Sequence, residues 1–536
     1  MKFGFSRTAQ SSTVAGVLPG FLAGRIEPRR SRRWLFFGAL TLVAFIYGCA
    51  VAIFPTLFYS IFAIPIIGLG LAALWALPDT NVDRGRAIRS LFWLYLVSLM
   101  LWPSYLAIAL PGLPWINVQR LFLLPLCAIF FYSLSTSKVV RTELGEVLSA
   151  NRFASTLFFS FVVLQFATTV LSPSIGASIN KLFINQCAWT VPFLISCWMF
   201  RTEKHRRHWY AALLILVLLT AIEALVEYKM HKVPWRDHIP SFLGESEDYV
   251  QANLRRATGL YRTKGFTVNT LVLAELLGVT APFVFHAAFT SKKALARLFW
   301  ILYLPCHFFV IVTTDSRLGM VSFLASGLLY LGVWNLLRWR ERKHDPFAPA
   351  LVLAYPLGAA ALGVLTLTWT RLYRMVFGGG ANSASDIARQ TQWKMMWPKL
   401  WSWPFGHGPN TSGHTLGYID ATGLLTVDSY YITVLLEYGI AGFVIFYSLF
   451  LLTAGQLTRG VLQGPTRKPS LAVPVAISMI VFVIDKSVLS LQNNHSIIFM
   501  ALGMAFALRY RMNSEPATAA SPRGSVKSAF VRPITA

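Results

Sequence analysis

The stretch WYAALLILVLLTAIEALVEY, residues 209–228, carries Glu223 and Glu227 and no other charge, and is long enough to cross the roughly 30 Å hydrocarbon core of a bilayer as one helix. Similar runs extend on both sides of it, at 34–54, 55–77, 90–111, 121–135, 153–172, 182–200, 269–290, 298–314, 318–337, 347–369, 428–454, 470–490 and 493–510. With the first run they make fourteen expected spans; the range is 12–14, because 121–135 is short and the first two runs are nearly continuous. The fold class read from them is all-α, a polytopic integral membrane helix bundle with two long loops. Composition agrees: 55% of the 536 residues are hydrophobic and 13% charged, with a mean hydropathy of +0.55, where soluble domains carry about 25% charge. A soluble enzyme is excluded. So is a β-barrel, whose strands alternate in hydrophobicity over about 10 residues and form no solid apolar blocks. Cys49, Cys127, Cys187, Cys197 and Cys306 all fall in apolar runs, which supports neither a disulfide framework nor a zinc site.

The net charge of +26, from 48 Lys and Arg against 22 Asp and Glu, is interpreted by location. With the amino terminus in the cytoplasm, 32 bases fall on inner loops and 16 on outer ones, and only Arg120, Lys181, Arg317 and Lys486 sit in short outer loops. This is the positive-inside pattern. It implies contact with anionic lipid head groups and no nucleic acid. Both termini are therefore expected in the cytoplasm: a basic tail at 1–33, a bundle at 34–510 and a disordered tail rich in Ala, Ser and Pro at 511–536. The basic tract RIEPRRSRR before Trp34 is read as an orienting segment and not a cleaved leader.

Two outer loops, 228–268 and 370–427, are much longer than the rest and hold twelve of the sixteen outer bases. Loops of that size usually carry function. Guanidinium groups bind phosphate in bidentate fashion, so a phosphate-bearing ligand is one reading; contact with anionic outer-leaflet lipid is the other. In TTDSRLG, residues 313–319, Arg317 stands at the hydrocarbon edge, where an ionisable group is a site candidate unless it pairs with Asp315 or snorkels to water. In RQTQWKMMWPKLWSWPFGHGPN, residues 389–410, Arg389, Trp393, Trp397 and Trp401 recur every four residues and form one helical stripe. That predicts an interfacial helix ended or kinked at Pro398. Gly406 and Gly408 around His407 predict a tight turn whose backbone can approach a ligand closely. DSYYITVLLEYGIAG, residues 428–442, opens a span with Asp428, a helix N-cap candidate that Ser429 could replace. Glu437 and Glu275, inside spans, must be neutral or paired, and the Asp485–Lys486 pair reads as structural.

These pieces together resemble the O-antigen ligase and polymerase family of bacterial envelope glycan enzymes. The resemblance rests on Ser316 and Arg317; on Arg389, three residues, Trp393 and then PFGHG to Gly408; and on Ser429, Gly439 and Gly442 at the opening of the span from 428. It covers about 250–445, with RRATGLYRTKGFTVN (255–269) as a lead-in. Asp428 stands where ligases carry histidine, and the DSYY stretch is more similar to exopolysaccharide polymerases. The resemblance implies a membrane glycosyltransferase of the polytopic GT-C type in the bacterial inner membrane, working on the periplasmic face without metal or other cofactor. Its donor would be a glycan on undecaprenyl diphosphate. A polymerase passes that glycan to another lipid-linked repeat unit, whereas a ligase passes it to an acceptor such as lipid A-core. Membrane lipids, a chain-length regulator and export proteins are the partners it suggests.

Inverting transfer needs an activated hydroxyl and a stabilised diphosphate leaving group. Arg317 and Arg389 are assigned to the diphosphate, with Arg255, Arg256 and Arg262 as further contacts. Asp428 is assigned as base, with His407 or His414 as its replacement and Ser429 beside it. ESED (Glu245, Glu247, Asp248) is the acidic cluster a metal would need, and reads as a solvated patch. A flippase for lipid-linked glycans has similar hydrophobicity, but would line a central cavity with charge in two similar halves.

Overall fold

A computed structural model of the protein describes residues 79, 85–108, 116–240, 243–245, 261–341, 346–370, 373, 383–420, 423–464 and 470–514. Its helices, in chain order, are α1 (Gly85–Leu101), α2 (Val118–Thr136), α3 (Lys138–Ala150), α4 (Arg152–Val170), α5 (Ile175–Asn185), α6 (Val191–Met199), α7 (Glu203–Met230), α8 (Thr270–Thr290), α9 (Ala294–Thr313), α10 (Arg317–Glu341), α11 (Phe347–Thr368), α12 (Ser383–Ser402), α13 (Ser412–Leu416), α14 (Tyr430–Gln463), α15 (Ala472–Lys486) and α16 (His495–Ser514). A π-helical turn, Gln186–Thr190, links α5 to α6. The chain divides into two compact units, Met1–Arg86 with Ala128–Thr142, and Ala87–Cys127 with Glu143–Ala536. In the first, Arg141 pairs with Asp79 at 2.5 Å.

The protein is mostly helical, and among the described residues nine helices are long and apolar enough to cross a membrane. Each expected span from 90 onward meets a helix. α1 and α15, with 17 and 15 residues, are shorter than a full crossing of about 20. The expected spans 34–54 and 55–77 lie outside the described residues, as do the tail at 1–33 and the residues after 514. α16 runs four residues into the stretch predicted to be disordered from 511.

Two elements were not legible. Residues 138–150, between expected spans, form α3, with Val140, Leu144 and Val147 buried along one face. Residues Leu106–Ile108 (β1), Ile116–Asn117 (β2) and Leu243–Glu245 (β3) form an antiparallel sheet in the order β2-β1-β3, with Ala107 opposite both Asn117 and Gly244. Strands this short are made by long-range pairing and leave no alternating pattern in the sequence, so the all-α expectation omitted them.

The second unit is built around α8, which packs along α9, α10 and α15. Small residues set that approach: a Cβ on Gly278 would lie 2.8 Å from Ser322 Cβ, and one on Gly319 2.9 Å from Ala274 Cβ. Polar side chains inside the bundle pair with each other, as an apolar surrounding demands. Lys486 Nζ meets Glu275 Oε1 at 2.6 Å, Asn494 donates to Glu275 Oε2 at 2.9 Å, and Ser322 donates to Asp485. Glu275 is therefore paired, as its position required, and Lys486 takes Glu275 as partner while its neighbour Asp485 takes Ser322. Cys127, Cys187, Cys197 and Cys306 are free thiols.

Candidate functional site

α9 ends in a tight turn that sets the direction of Arg317. Thr313 and Thr314 turn their hydroxyls back onto Val310 and Ile311, and Asp315 takes φ +50°, a left-handed backbone that aspartate tolerates better than most residues. α10 then begins at Arg317 itself. The guanidinium grips Asp386, with Nη2 2.6 Å from Oδ1 and Nη1 3.4 Å from Oδ2. Arg317 thus pairs with Asp386, where the sequence offers Asp315 as an internal partner. One turn further along α12, Arg389 Nη1 reaches the same Oδ1 at 3.4 Å. A single carboxylate therefore gathers both arginines, Arg389 from its own helix and Arg317 from 69 residues earlier in the chain. All three side chains are partly open, at 20% for Arg317, 28% for Arg389 and 22% for Asp386. Arg389 Nε is buried and has no hydrogen-bond partner among the described residues.

Asp428 joins this cluster through Gln392, a buried residue one turn beyond Arg389. Gln392 Nε2 donates to Asp428 Oδ2 at 3.2 Å, and Gln392 Oε1 accepts from the Asp428 backbone N–H at 2.9 Å. The cap of α14 falls to Ser429, whose hydroxyl oxygen accepts from Tyr431 N at 3.2 Å. Ser429 is consumed in that role, which leaves the Asp428 carboxylate free of capping. Burial raises the Asp428 pKa above the usual carboxylate value; Arg389 and the Gln392 amide act against that, and Asp420 adds to it. Burial likewise lowers the Arg389 pKa, with Arg317 adding to the effect and Asp428 and Asp386 opposing it.

The glycines serve a different purpose from the one their motif suggested. α14 breaks at Gly439, where φ is +70°, and a break inside a membrane helix strands backbone groups that must find new partners. The turn 404–408 supplies them. His407 N donates to Leu436 O at 2.8 Å, Gly408 N to Glu437 O at 2.9 Å, and Ile440 N to Pro404 O at 3.1 Å. A Cβ on Gly439 would fall 2.1 Å from Pro404 O, and one on Gly406 2.6 Å from Glu437 O. The tight turn exists as expected, but its glycines admit the protein's own backbone. PFGHG and Gly439 are one docked unit.

His407 shares that task, its ring Nδ1 donating to Leu436 O at 3.1 Å. Leu436 is six residues beyond Tyr430, roughly 9 Å down the helix at 1.5 Å per residue, which takes His407 away from Asp428. His414 is exposed on the short helix α13. His407 is thus turned to the break in α14, and His414 stands on the surface.

Arg262 is brought near the cluster from the other loop. Its Nε donates to Thr314 O at 3.0 Å, while Thr263 N donates to Thr313 O at 3.2 Å, so residues 262–263 run along the turn that aims Arg317. Glu227 fixes this segment, accepting from Tyr261 OH at 2.6 Å and Gly265 N at 2.7 Å. Lys264, 1% exposed, is pulled down to about 8 by burial, against Glu227 and Glu223. Arg255 and Arg256 lie outside the described residues, as do Glu247 and Asp248. The tryptophan stripe is present, with Trp397 and Trp401 stacked at 6.3 Å and both exposed, but α12 runs past Pro398 to Ser402.

Asp386, Gln392 and Glu227 are the residues the sequence reading missed. Asp386 and Gln392 sit three residues on either side of Arg389, on one helical face, and that spacing was the available signal. No curated protein matches the chain. Residues 301–447, which contain Arg317, Asp386, Arg389, Gln392 and Asp428 but not Arg262, match the family described as O-Antigen ligase. On a chain with several membrane-length helices, that match supports an O-antigen ligase/polymerase assignment for this multi-pass membrane protein.

Proposed function

We propose that the protein is an inverting, metal-independent glycosyltransferase that polymerises undecaprenyl-diphosphate-linked repeat units on the periplasmic face of the bacterial inner membrane. The supporting observation is the gathering of Arg317 and Arg389 by Asp386 with Asp428 close by through Gln392. In the transfer, a hydroxyl oxygen of the acceptor sugar attacks the donor's anomeric carbon. The bond from that carbon to the diphosphate oxygen breaks, the electron pair leaves on undecaprenyl diphosphate, and the hydroxyl proton passes to Asp428. Charge grows on the leaving oxygens only as the bond breaks, so cations already fixed there stabilise the transition state more than the ground state. Arg389 Nε, a buried donor without a protein partner among the described residues, suits one of those oxygens.

An acidic residue at 428, in place of the ligase histidine, favours polymerase over ligase within this reading. Purified protein given radiolabelled lipid-linked repeat units should lengthen them in a chelator-insensitive reaction. Absence of any transfer between carriers would favour a flippase. In a deletion strain, single repeat units accumulating on lipid are expected, whereas long chains left on the carrier would indicate a ligase.

A further inference from the structure

The segments that carry Arg262 and Asp428 also wall a second space. Thr267 and Val268 from one, with Leu425, Val427 and Thr433 from the other, line a cavity of about 710 Å³ whose walls are part polar and part apolar. Leu425 and Val427 line the cavity, while the next residue, Asp428, accepts from Gln392. The cavity and the arginine cluster thus share this stretch of chain.

The cavity holds buried acceptors that the protein leaves unpaired. Asn185, 1% exposed, donates Nδ2 toward Tyr438 OH at 3.4 Å, and its Oδ1 has no partner among the described residues. Glu437, 2% exposed, accepts from Ser412 Oγ at 2.9 Å with Oε1 and has the Lys181 ammonium nearby, and its Oε2 has no hydrogen-bond partner among the described residues. Gln492 Oε1 is a third. All three residues line this one cavity, where Trp189 and Tyr95 also present aromatic surface. Buried acceptors are normally satisfied, so three convergent exceptions mark a place for a ligand that donates. Arg120 and Lys181 also line the cavity, but at these three positions, all acceptors and one a carboxylate, a hydroxyl donor fits and a phosphate oxygen does not. A molecule with several hydroxyl donors and apolar C–H faces for the aromatic rings does.

We propose that this cavity is a saccharide subsite, in which hydroxyls of a sugar unit donate to Asn185 Oδ1, Glu437 Oε2 and Gln492 Oε1. The proposal rests on the reading above in taking a lipid-linked glycan as the substrate. It goes beyond that reading in separating the sugar-holding residues from those that hold the diphosphate. The sugar unit belongs to either the donor or the acceptor, and the chemistry of recognition is the same for both.

The test uses full-length protein in nanodiscs with two probes: undecaprenyl diphosphate, and the undecaprenyl-diphosphate-linked repeat unit extracted from a strain lacking the protein. Gln492→Ala and Asn185→Leu should each weaken binding of the glycosylated carrier by about 3- to 10-fold, the value of one hydrogen bond. Binding of the bare carrier should be unchanged, which also reports that the variant is folded. Should Asn185→Leu fail to fold, Gln492→Ala, on the loop before α16, decides. Unchanged binding of the glycosylated carrier overturns the proposal, as does equal weakening of both probes. Arg317→Ala separates the two readings, since it should weaken both probes; if it weakens neither, the diphosphate assignment fails whatever the cavity variants do. In a transfer assay the KM that rises in Gln492→Ala, for donor or for acceptor, identifies whose sugar is held, and a rise in neither overturns the subsite.

Discussion

Lys486 and Glu275 meet at 2.6 Å with both side chains wholly buried, whereas Arg317, Arg389 and Asp386 keep between 20% and 28% of their side-chain surface open. The two clusters use the same chemistry to different ends. In the first, one cation answers Glu275 beside a second acid, Asp485, and Asn494 and Ser322 donate to the two carboxylates from inside the bundle. In the second, two guanidiniums share one carboxylate, a second carboxylate sits close by, and a buried N–H of Arg389 has no protein partner among the described residues. The sequence presents both as scattered charges, inside a span, at span ends or in a long loop, with nothing to join them. Closure and donor count distinguish a charge that holds helices together from one that holds a ligand.

Alanine at either cation tests that distinction most strongly. Arg317→Ala should leave the protein inserted and folded and remove transfer, by roughly the 2.7–4 kcal/mol that one leaving-group donor supplies, a hundredfold or more in rate. Lys486→Ala should do the reverse, destabilising the fold by about 3–5 kcal/mol because Glu275 is left buried without its cation. Thermal unfolding in detergent beside a transfer assay reads both. An unfolded Arg317→Ala, or a well-folded but inactive Lys486→Ala, would break the comparison.

A smaller effect is expected at Asp386, which orders the arginines and takes no part in the bond changes proposed. Asp386→Asn keeps the shape and loses the charge, so the guanidiniums should remain cationic but less well placed. Misplacement of this order lowers turnover by up to about a hundredfold. The expected result is a fall in kcat of about 10- to 100-fold with little change in unfolding temperature. A wild-type kcat would mean that Arg317 and Arg389 are positioned without it.

Why Asp386 escaped a reading that found both of its partners is a question of range. Each hydropathy block from 90 onward meets a helix, because twenty apolar residues in a row leave the chain little choice. The ends differ by as much as ten residues, as at 90–111 against Gly85–Leu101. Arg317 and Arg389 stood out because each is an ionisable group where hydrocarbon or a cationic loop makes it costly. Asp386 is an unremarkable acid in a polar stretch, made important by a contact 69 residues distant in the chain. The sheet was invisible for the same reason, and so was the docking of PFGHG into the break at Gly439: each motif is legible alone, and the 2.1 Å that a Cβ would leave at Gly439 appears only when both are in place.

The finest test concerns the proton. Asp428 can accept one only when ionised, so activity should fall as pH drops through its pKa. Burial has raised that value, placing the acidic limb of the pH profile above the roughly 3.9 of a free aspartate. Gln392 works against burial by donating Nε2 to Asp428 Oδ2 at 3.2 Å, a bond that favours the ionised form. Gln392→Ala removes that bond, so the pKa should rise further and the limb should move to higher pH, while the rate on the alkaline side of the limb changes only modestly. Asp428→Asn should abolish the limb along with most of the activity. A limb that stays in place in Gln392→Ala would mean that the titrating base is not Asp428. Histidine would then be the group to test, although His407 is committed to Leu436 O at 3.1 Å. A limb that moves to lower pH would contradict the direction of the Gln392 bond itself.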